Sequence, residues 1–293
     1  MLQPIPSCRN TWEVSKIENS FGSKTKTKLV DVKSINSFKT DGVTILRNII
    51  NEWVETLRVG VAWNLAHPGP SRRSYKGNFG DGEFHSDYCN WQRVPEYKNF
   101  IFNSSIGQIA AELMGSASVR LFHEHILIKE ADANVATPWH QDQPYYCAEG
   151  PKTVSFWIPL DHVSRDRTLE FIAGSHLGGK FYQPQFFNGT PLNEGDGMTP
   201  VPDVAANRDK FDIRGWTVEP GDVIAFDFRT VHGAPPNKSQ IDQRRAFSLR
   251  LVGDNALFVR HEGRATSPPF PDVMLEHGAP LEGEDFPVLY QTS

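Results

Sequence analysis

His140 and Asp142 stand two residues apart in Thr137-Pro-Trp-His-Gln-Asp142. In an extended chain, positions i and i+2 face the same side, so an imidazole and a carboxylate at this spacing can converge on one cation. A third ligand is available downstream, where Asp222-Val-Ile-Ala-Phe-Asp-Phe-Arg-Thr-Val-His232 reads as a strand running to a histidine and a turn. Two histidines and one carboxylate on one face of an ion, with the other face open, are the ligand set of non-haem iron(II) oxygenases.

Spacing alone does not carry this assignment, because the same tripeptide recurs as His85-Ser-Asp87. That copy lies in a Gly-rich segment, and His85 reads as a solvated loop residue or a substrate contact. A second competing set is His123, His125 and Glu130, which has the His-X-His and downstream Glu spacing of a cupin metal site. The flanking glycines of that pattern are missing, with Ala117 and Thr137 in their places. His123 and His125 also alternate along an apolar strand, as core or ligand-supporting residues do. What favours His140, Asp142 and His232 is order: the pair lies among strands, and Arg244 and Arg245 open the strand after His232. A guanidinium fork binds a carboxylate bidentately. Neighbours on a strand face opposite sides, so only one of the two arginines can point inward.

These residues need elements to position them. Residues 1–33 are polar and read as an N-terminal arm. From Ser34 to about Leu65, apolar residues recur at spacings of three and four, which predicts a helical lead-in. Residues 66–100 are rich in Gly and Pro and suit a long loop or lid. Ser104 to Met114 predicts a short helix ended by Gly115. From 116 to 253 the pattern changes to short β-branched and aromatic runs separated by turn residues, which predicts a β-barrel core. A polar insertion over 178–216 interrupts it, and 254–293 reads as a Pro-rich tail without regular structure. The whole, 1–293, is expected to be a single domain.

Composition narrows the function classes. The chain of 293 residues is 39% hydrophobic and 22% charged, as ordinary globular proteins are. A net charge of −5 gives no broad attraction for nucleic acid or for an anionic membrane. No leader-like apolar segment opens the sequence, and no run is long enough to span a bilayer. Three cysteines, Cys8, Cys89 and Cys147, are too scattered for a disulfide framework, so free thiols and a cytoplasmic location are expected.

Taken in order, Phe38-Lys-Thr-Asp-Gly-Val-Thr-Ile-Leu46, Thr137-Pro-Trp-His-Gln-Asp-Gln-Pro-Tyr-Tyr146, Trp157-Ile-Pro-Leu-Asp161, Leu169-Glu-Phe-Ile-Ala-Gly-Ser-His176, Pro220-Gly-Asp222 and His232-Gly-Ala-Pro-Pro-Asn237 leading to Arg244-Arg-Ala246 resemble the phytanoyl-CoA dioxygenase (PhyH-like) family. The resemblance runs from about Phe38 to the end of the chain. It implies a mainly β fold with a helical N-terminal part, built on a double-stranded β-helix (jelly-roll, cupin-like) barrel. It also implies an Fe(II)/2-oxoglutarate-dependent dioxygenase that hydroxylates a small polar metabolite with O2, releasing succinate and CO2, with ascorbate as an auxiliary reductant.

On this resemblance His140, Asp142 and His232 bind iron, Arg244 binds the distal carboxylate of 2-oxoglutarate, and Trp157 lines that pocket. The spacing from His232 to Arg244 is one residue longer than the family pattern, which keeps Arg245 as the alternative. Ala234 stands where relatives often carry serine, so Thr230 is expected to supply a hydroxyl, with His123 as a further co-substrate neighbour. Halogenating relatives replace the carboxylate ligand, and Asp142 argues against that chemistry. Tyr145, Tyr146, Trp139, His85 and Arg73 are the expected substrate contacts, with Tyr88, Arg72 and Lys76 nearby. His176 is expected to be structural. The alternatives are a cupin-type dioxygenase using His123, His125 and Glu130, and a catalytically silent binding or sensing protein on the same barrel.

Overall fold

In the computed structural model, which describes residues 27–77, 80, 82–195 and 197–292, the layering follows from the alternation of side chains along a few long strands. Most of the predicted arm, together with Cys8, lies outside the described residues. The N-terminal part runs α1 (Val32–Asp41), β1 (Val43–Leu46), α2 (Val54–Ala66), β2 (Arg73–Lys76), β3 (Glu83–Tyr88), α3 (Pro95–Asn103) and α4 (Ile106–Met114). The strands that follow are β4 (Ser118–Lys129), β5 (Thr137–His140), β6 (Ala148–Glu149), β7 (Thr153–Pro159), β8 (Glu170–Ile172), β9 (Ile213–Arg214), β10 (Val223–Phe226), β11 (His232–Ala234), β12 (Arg244–Gly253), β13 (Leu257–Phe258) and β14 (Val288–Gln291).

A large sheet has the order β1-β10-β7-β12-β4-β3-β2, with β14 also on β4, and a smaller one has the order β5-β11-β8-β9. The two sheets form the double-stranded β-helix. Helices cover the outer face of the large sheet, where Leu57, Val61, Tyr97 and Ile109 pack with Ile126, Ile128, Phe247 and Leu249. Each such side chain, fully buried, contributes about 1.5–3 kcal/mol. The inner faces enclose the cavity, and Phe122, Tyr146, Phe228, Phe258 and Phe286 pack at one end of it.

Parity along β4 separates these layers. His123, His125, Leu127 and Lys129 line the cavity, whereas Ile126 and Ile128 join the helix-covered core. Opposite β12, Arg250 pairs with His123 but Leu251 pairs with Leu121, so Phe122 is an unpaired bulge residue. Beyond the bulge the parity reverses, and Leu121 and Val119 turn toward the helices.

The structure corrects three expectations. The helical lead-in is broken by β1: Asp31 caps α1 through Ser34 N, Gly42 ends it at φ 75°, and the β-branched Val43-Thr-Ile-Leu46 pairs with β10. The Gly-rich segment is not a loop lid but the β2–β3 hairpin followed by α3. The tail contributes β13 and β14 rather than irregular chain alone. Among the described residues no helix is long and apolar enough to cross a membrane.

Candidate active site

Strand β5 ends at His140, and the chain then turns through Asp142 in a helical conformation. Strand β11 opens with His232, the direct cross-strand partner of His140, which brings the two rings to 4.2 Å. One ligand atom from each of His140, Asp142 and His232 lies within 4.8 Å of the other two. Among the described residues no other group of three potential ligands does so.

The protonation pattern suits a cation. His140 Nδ1 lies 2.8 Å from Pro138 O and His232 Nδ1 lies 3.0 Å from Thr230 O. A carbonyl can only accept, so each Nδ1 carries the proton and each Nε2 keeps its lone pair. Both Nε2 atoms face Asp142 Oδ1, at 3.7 and 3.9 Å. Burial lowers both imidazoles, His232 to about 3 with the help of His140, so both rings are neutral. Burial pushes the Asp142 carboxyl up, but the Arg250 guanidinium and the Ser155 hydroxyl hold it well below the usual carboxylate range. Ser155 Oγ donates to Oδ2 at 2.6 Å and Arg250 Nε lies 3.6 Å from the same oxygen, which leaves Oδ1 to the histidines.

The triad opens into a cavity of about 1140 Å³, counting its mouth. Its floor holds two cations from paired positions on β12 and β4, Arg244 and Lys129, which are 5% and 1% exposed. Arg244 donates to the carbonyls of Arg167 and Pro235, and Lys129 Nζ donates to Pro235 O at 3.2 Å. Neither has a carboxylate partner among the described residues. Burial lowers both, further aided at Arg244 by Arg167 and at Lys129 by Arg244. Two buried cations facing a cavity without a counter-charge fit an anionic ligand group. The indole of Trp157 and the Ser248 hydroxyl line the path from this floor to the triad.

A family model described as phytanoyl-CoA dioxygenase (PhyH) matches residues 38–246. The chain belongs to this family. It is therefore an iron(II)/2-oxoglutarate-dependent oxygenase. Comparison with curated proteins finds no match. Among solved structures, the carbocyclase SnoK from nogalamycin biosynthesis superposes with a TM-score of 0.70 at 22% identity, over 89% of this chain and 97% of that one. The epimerase SnoN in complex with Fe3+, alpha ketoglutarate and nogalamycin RO gives 0.71 at 22%, over 88% and 98%. EctD from S. alaskensis with 2-oxoglutarate and 5-hydroxyectoine gives 0.62 at 19%, over 88% of each chain. At these identities the likeness establishes the fold.

Against this phytanoyl-CoA dioxygenase frame the remaining sequence expectations separate. Trp157, His123, Tyr145, Tyr146, Arg73 and Tyr88 line the cavity together with Arg244. Arg245 faces away, paired with Asp161 at 2.6 Å. Thr230 is fully buried outside the lining, its Oγ1 donating to Gly42 O at 2.8 Å, so it offers no hydroxyl to a co-substrate. Trp139 packs on the backbone at Gly233 and does not line the cavity.

His85 sits on the outward parity of β3, bonded to Ser74 at 2.9 Å and Glu130 at 3.0 Å, which removes it from substrate contact. Arg72 bonds to His85, and Lys76 pairs with Glu83. The same bond takes Glu130 to the outer edge of the hairpin, away from inward-facing His123 and His125, so the cupin set does not assemble. His176 bonds to Lys39 O at 3.1 Å, as a structural residue would.

Sequence reasoning missed Lys129, Ser248, Arg250, and the aromatic wall of Tyr75, Phe84, Phe186 and Phe187. The first three continue the inward parity of His123, His125 and Arg244, a signal that simple alternation carries. The insertion residues had no such signal.

Proposed function

We propose that this chain is a single oxygenase domain that hydroxylates a small molecule, with His140, Asp142 and His232 holding iron(II) and Arg244 with Lys129 holding the distal carboxylate of 2-oxoglutarate. The observation that carries the reading is the convergence of two neutral Nε2 lone pairs and one carboxylate oxygen within 4.8 Å. That donor set suits iron(II) and leaves one side open for co-substrate and O2. When bound, the iron supplies redox activation of O2. In the overall balance one oxygen atom enters succinate as 2-oxoglutarate loses CO2, and the other enters the substrate C–H bond.

The residues present do the positioning. Ser155 and Arg250 fix one oxygen of Asp142 so that the other faces the metal. Trp157 and Ser248 border the co-substrate between the triad and the cationic floor. Tyr146 accepts from Arg250 Nε at 3.1 Å and closes that side against water.

The solved neighbours are named a carbocyclase and an epimerase, and one is held with 5-hydroxyectoine, so this scaffold serves more than one oxidative outcome. The carboxylate at position 142 supports hydroxylation over halogenation here. Cys89 and Cys147 are free thiols, which accords with a reducing cytoplasm.

Asp142→Ala is expected to abolish both the visible charge-transfer band formed anaerobically with iron(II) and 2-oxoglutarate and the aerobic release of succinate. A mutant that keeps both would overturn the ligand assignment.

A further inference from the structure

Past the triad and the cationic floor, the outer part of the cavity is walled by rings from two segments that are distant in sequence. Tyr75 and Phe84 come from the β2–β3 hairpin, and Phe186 and Phe187 come from the insertion. Phe187 meets Phe84 edge-on at 4.6 Å and Tyr75 at 5.3 Å, and Tyr75 and Phe84 are 5.8 Å apart. Next to these rings the insertion is tied to the triad's strand end by Tyr145. The Tyr145 hydroxyl donates to Gln185 O at 2.6 Å and accepts from Gln185 N at 2.7 Å, while its ring stands 5.7 Å from that of His140.

The charges in this wall are as informative as the rings. Among the described residues Asp142 is the one carboxylate that lines the cavity, and it is already committed to the triad. A cationic substrate would therefore enter without a counter-charge. At the mouth, the Arg73 guanidinium lies 5.2 Å from the centroid of the Phe186 ring, exposed and with no carboxylate partner among the described residues.

We propose that the substrate is a planar, ring-bearing molecule of low polarity that carries an anionic group, its rings seated against Tyr75, Phe84 and Phe187 and its anion paired with Arg73. Offset or edge-to-face contacts with such rings are worth about 0.5–1.5 kcal/mol beyond area burial, which favours flat substrates over flexible chains of equal charge. This class differs from the small polar metabolite expected from the sequence, because the rings that select it, Tyr75, Phe84, Phe186 and Phe187, are not among the substrate contacts expected there. The proposal rests on the oxygenase reading for where the reacting carbon must lie, but its test does not depend on turnover.

The experiment is calorimetric titration of the full chain, held anaerobically with iron(II) and 2-oxoglutarate, using three probes: 2-naphthoate, 2-naphthylmethylamine and hexanoate. The expected result is binding of 2-naphthoate at least roughly tenfold tighter than either of the others. Phe187→Ala should weaken 2-naphthoate by about tenfold. Arg73→Gln should remove the preference for naphthoate over the amine while leaving the affinity for a fourth, neutral probe, 2-naphthol, unaffected.

Failure of 2-naphthoate to bind, equal binding of hexanoate or the amine, or an unchanged affinity in Phe187→Ala overturns the proposal. Because Phe187 is half-buried on the insertion, the charge-transfer band serves as the check that the variant keeps its site. A missing band in the unaltered protein, with naphthoate still bound, would defeat the oxygenase reading and spare the substrate class. An intact band without naphthoate binding would do the reverse.

Discussion

Along β4, Lys129 points into the cavity beside Arg244, whereas Glu124 points beneath α2 and α3 on the same side as Asp87 of β3. Both faces bury charge without an opposite charge, and the two sets differ in how the charge can be removed. On the outer face, Glu124 is fully buried and accepts from Asn90 N. Burial drives its carboxyl up to about 8, with the Asn90 amide opposing and Asp87 reinforcing the shift. Asp87 in turn accepts from Asn64 Nδ2 at 3.0 Å and Gly69 N at 2.8 Å. Glu124 is thus neutralised by a proton. The Arg244 guanidinium has no such route, so its charge persists until an anion arrives, whereas burial beside Arg244 eases the proton off Lys129. A buried charge thus marks a ligand site when proton exchange cannot discharge it.

The largest expected break of this comparison is Arg244→Gln. Calorimetric affinity for 2-oxoglutarate should fall roughly 100-fold, on the order of 2–3 kcal/mol for a lost charge-assisted pair. An unchanged affinity would show that the inner charge is not a ligand site.

Lys129→Met should act in two directions, weakening 2-oxoglutarate about tenfold while raising the ligand-free protein's stability by about 1–2 kcal/mol, because a buried amine that is costly whether charged or stripped of its proton is removed. A loss of stability in urea would indicate that Lys129 is held for packing instead.

The outer face is sharpened by Glu124→Gln. A folded-state value near 8, above the ordinary 4.5, means that the stability tied to neutral Glu124 is complete below about pH 4.5 and lost as pH rises through about 8. Urea midpoints of the unaltered protein should therefore drop between about pH 5 and about pH 9. The Gln variant should show a flatter profile, and an identical slope would remove Glu124 as its source.

Thr230→Val has the smallest expected effect, a destabilisation of about 1 kcal/mol from the hydrogen bond to Gly42, with 2-oxoglutarate affinity unchanged. A weaker affinity would return Thr230 to the co-substrate.

Much of this contrast was legible before the fold was known. The triad, Arg244 and Trp157 follow from order and resemblance, and the barrel follows from short strands between turn residues. The i, i+2 argument for His140 and Asp142 found the right pair for a partly different reason. The strand ends at His140, and Asp142 reaches the site from the turn, while cross-strand pairing of His140 with His232 does the rest.

Position along a strand could not tell Arg244 from Arg245 without knowing which face is covered by helices. Val43 to Leu46 carries apolar spacing compatible with a helix, and only the chain reversal at Gly42 and the pairing with β10 make it a strand. The misreadings of Trp139 and His85 share one cause: each lies between two cavity residues in sequence, and parity turns it to the other side of the sheet. Thr230 instead lies in the turn before β11, where Gly42 O takes its hydroxyl. The insertion was opaque because its rings are placed by Tyr145 and Gln185 rather than by any period of their own.

The unpaired Phe122 in β4 gives the strand slack. Between Ser118 and Leu121 the strand is seamed to the tail through β14, and beyond the bulge it carries His123, His125 and Lys129 into the cavity. In a strand of unbroken alternation, a one-residue insertion or deletion would turn every later side chain over. Here a length change at the tail seam can be absorbed where one residue is already unpaired, so that border can drift in sequence and length while the floor beneath the metal keeps its orientation.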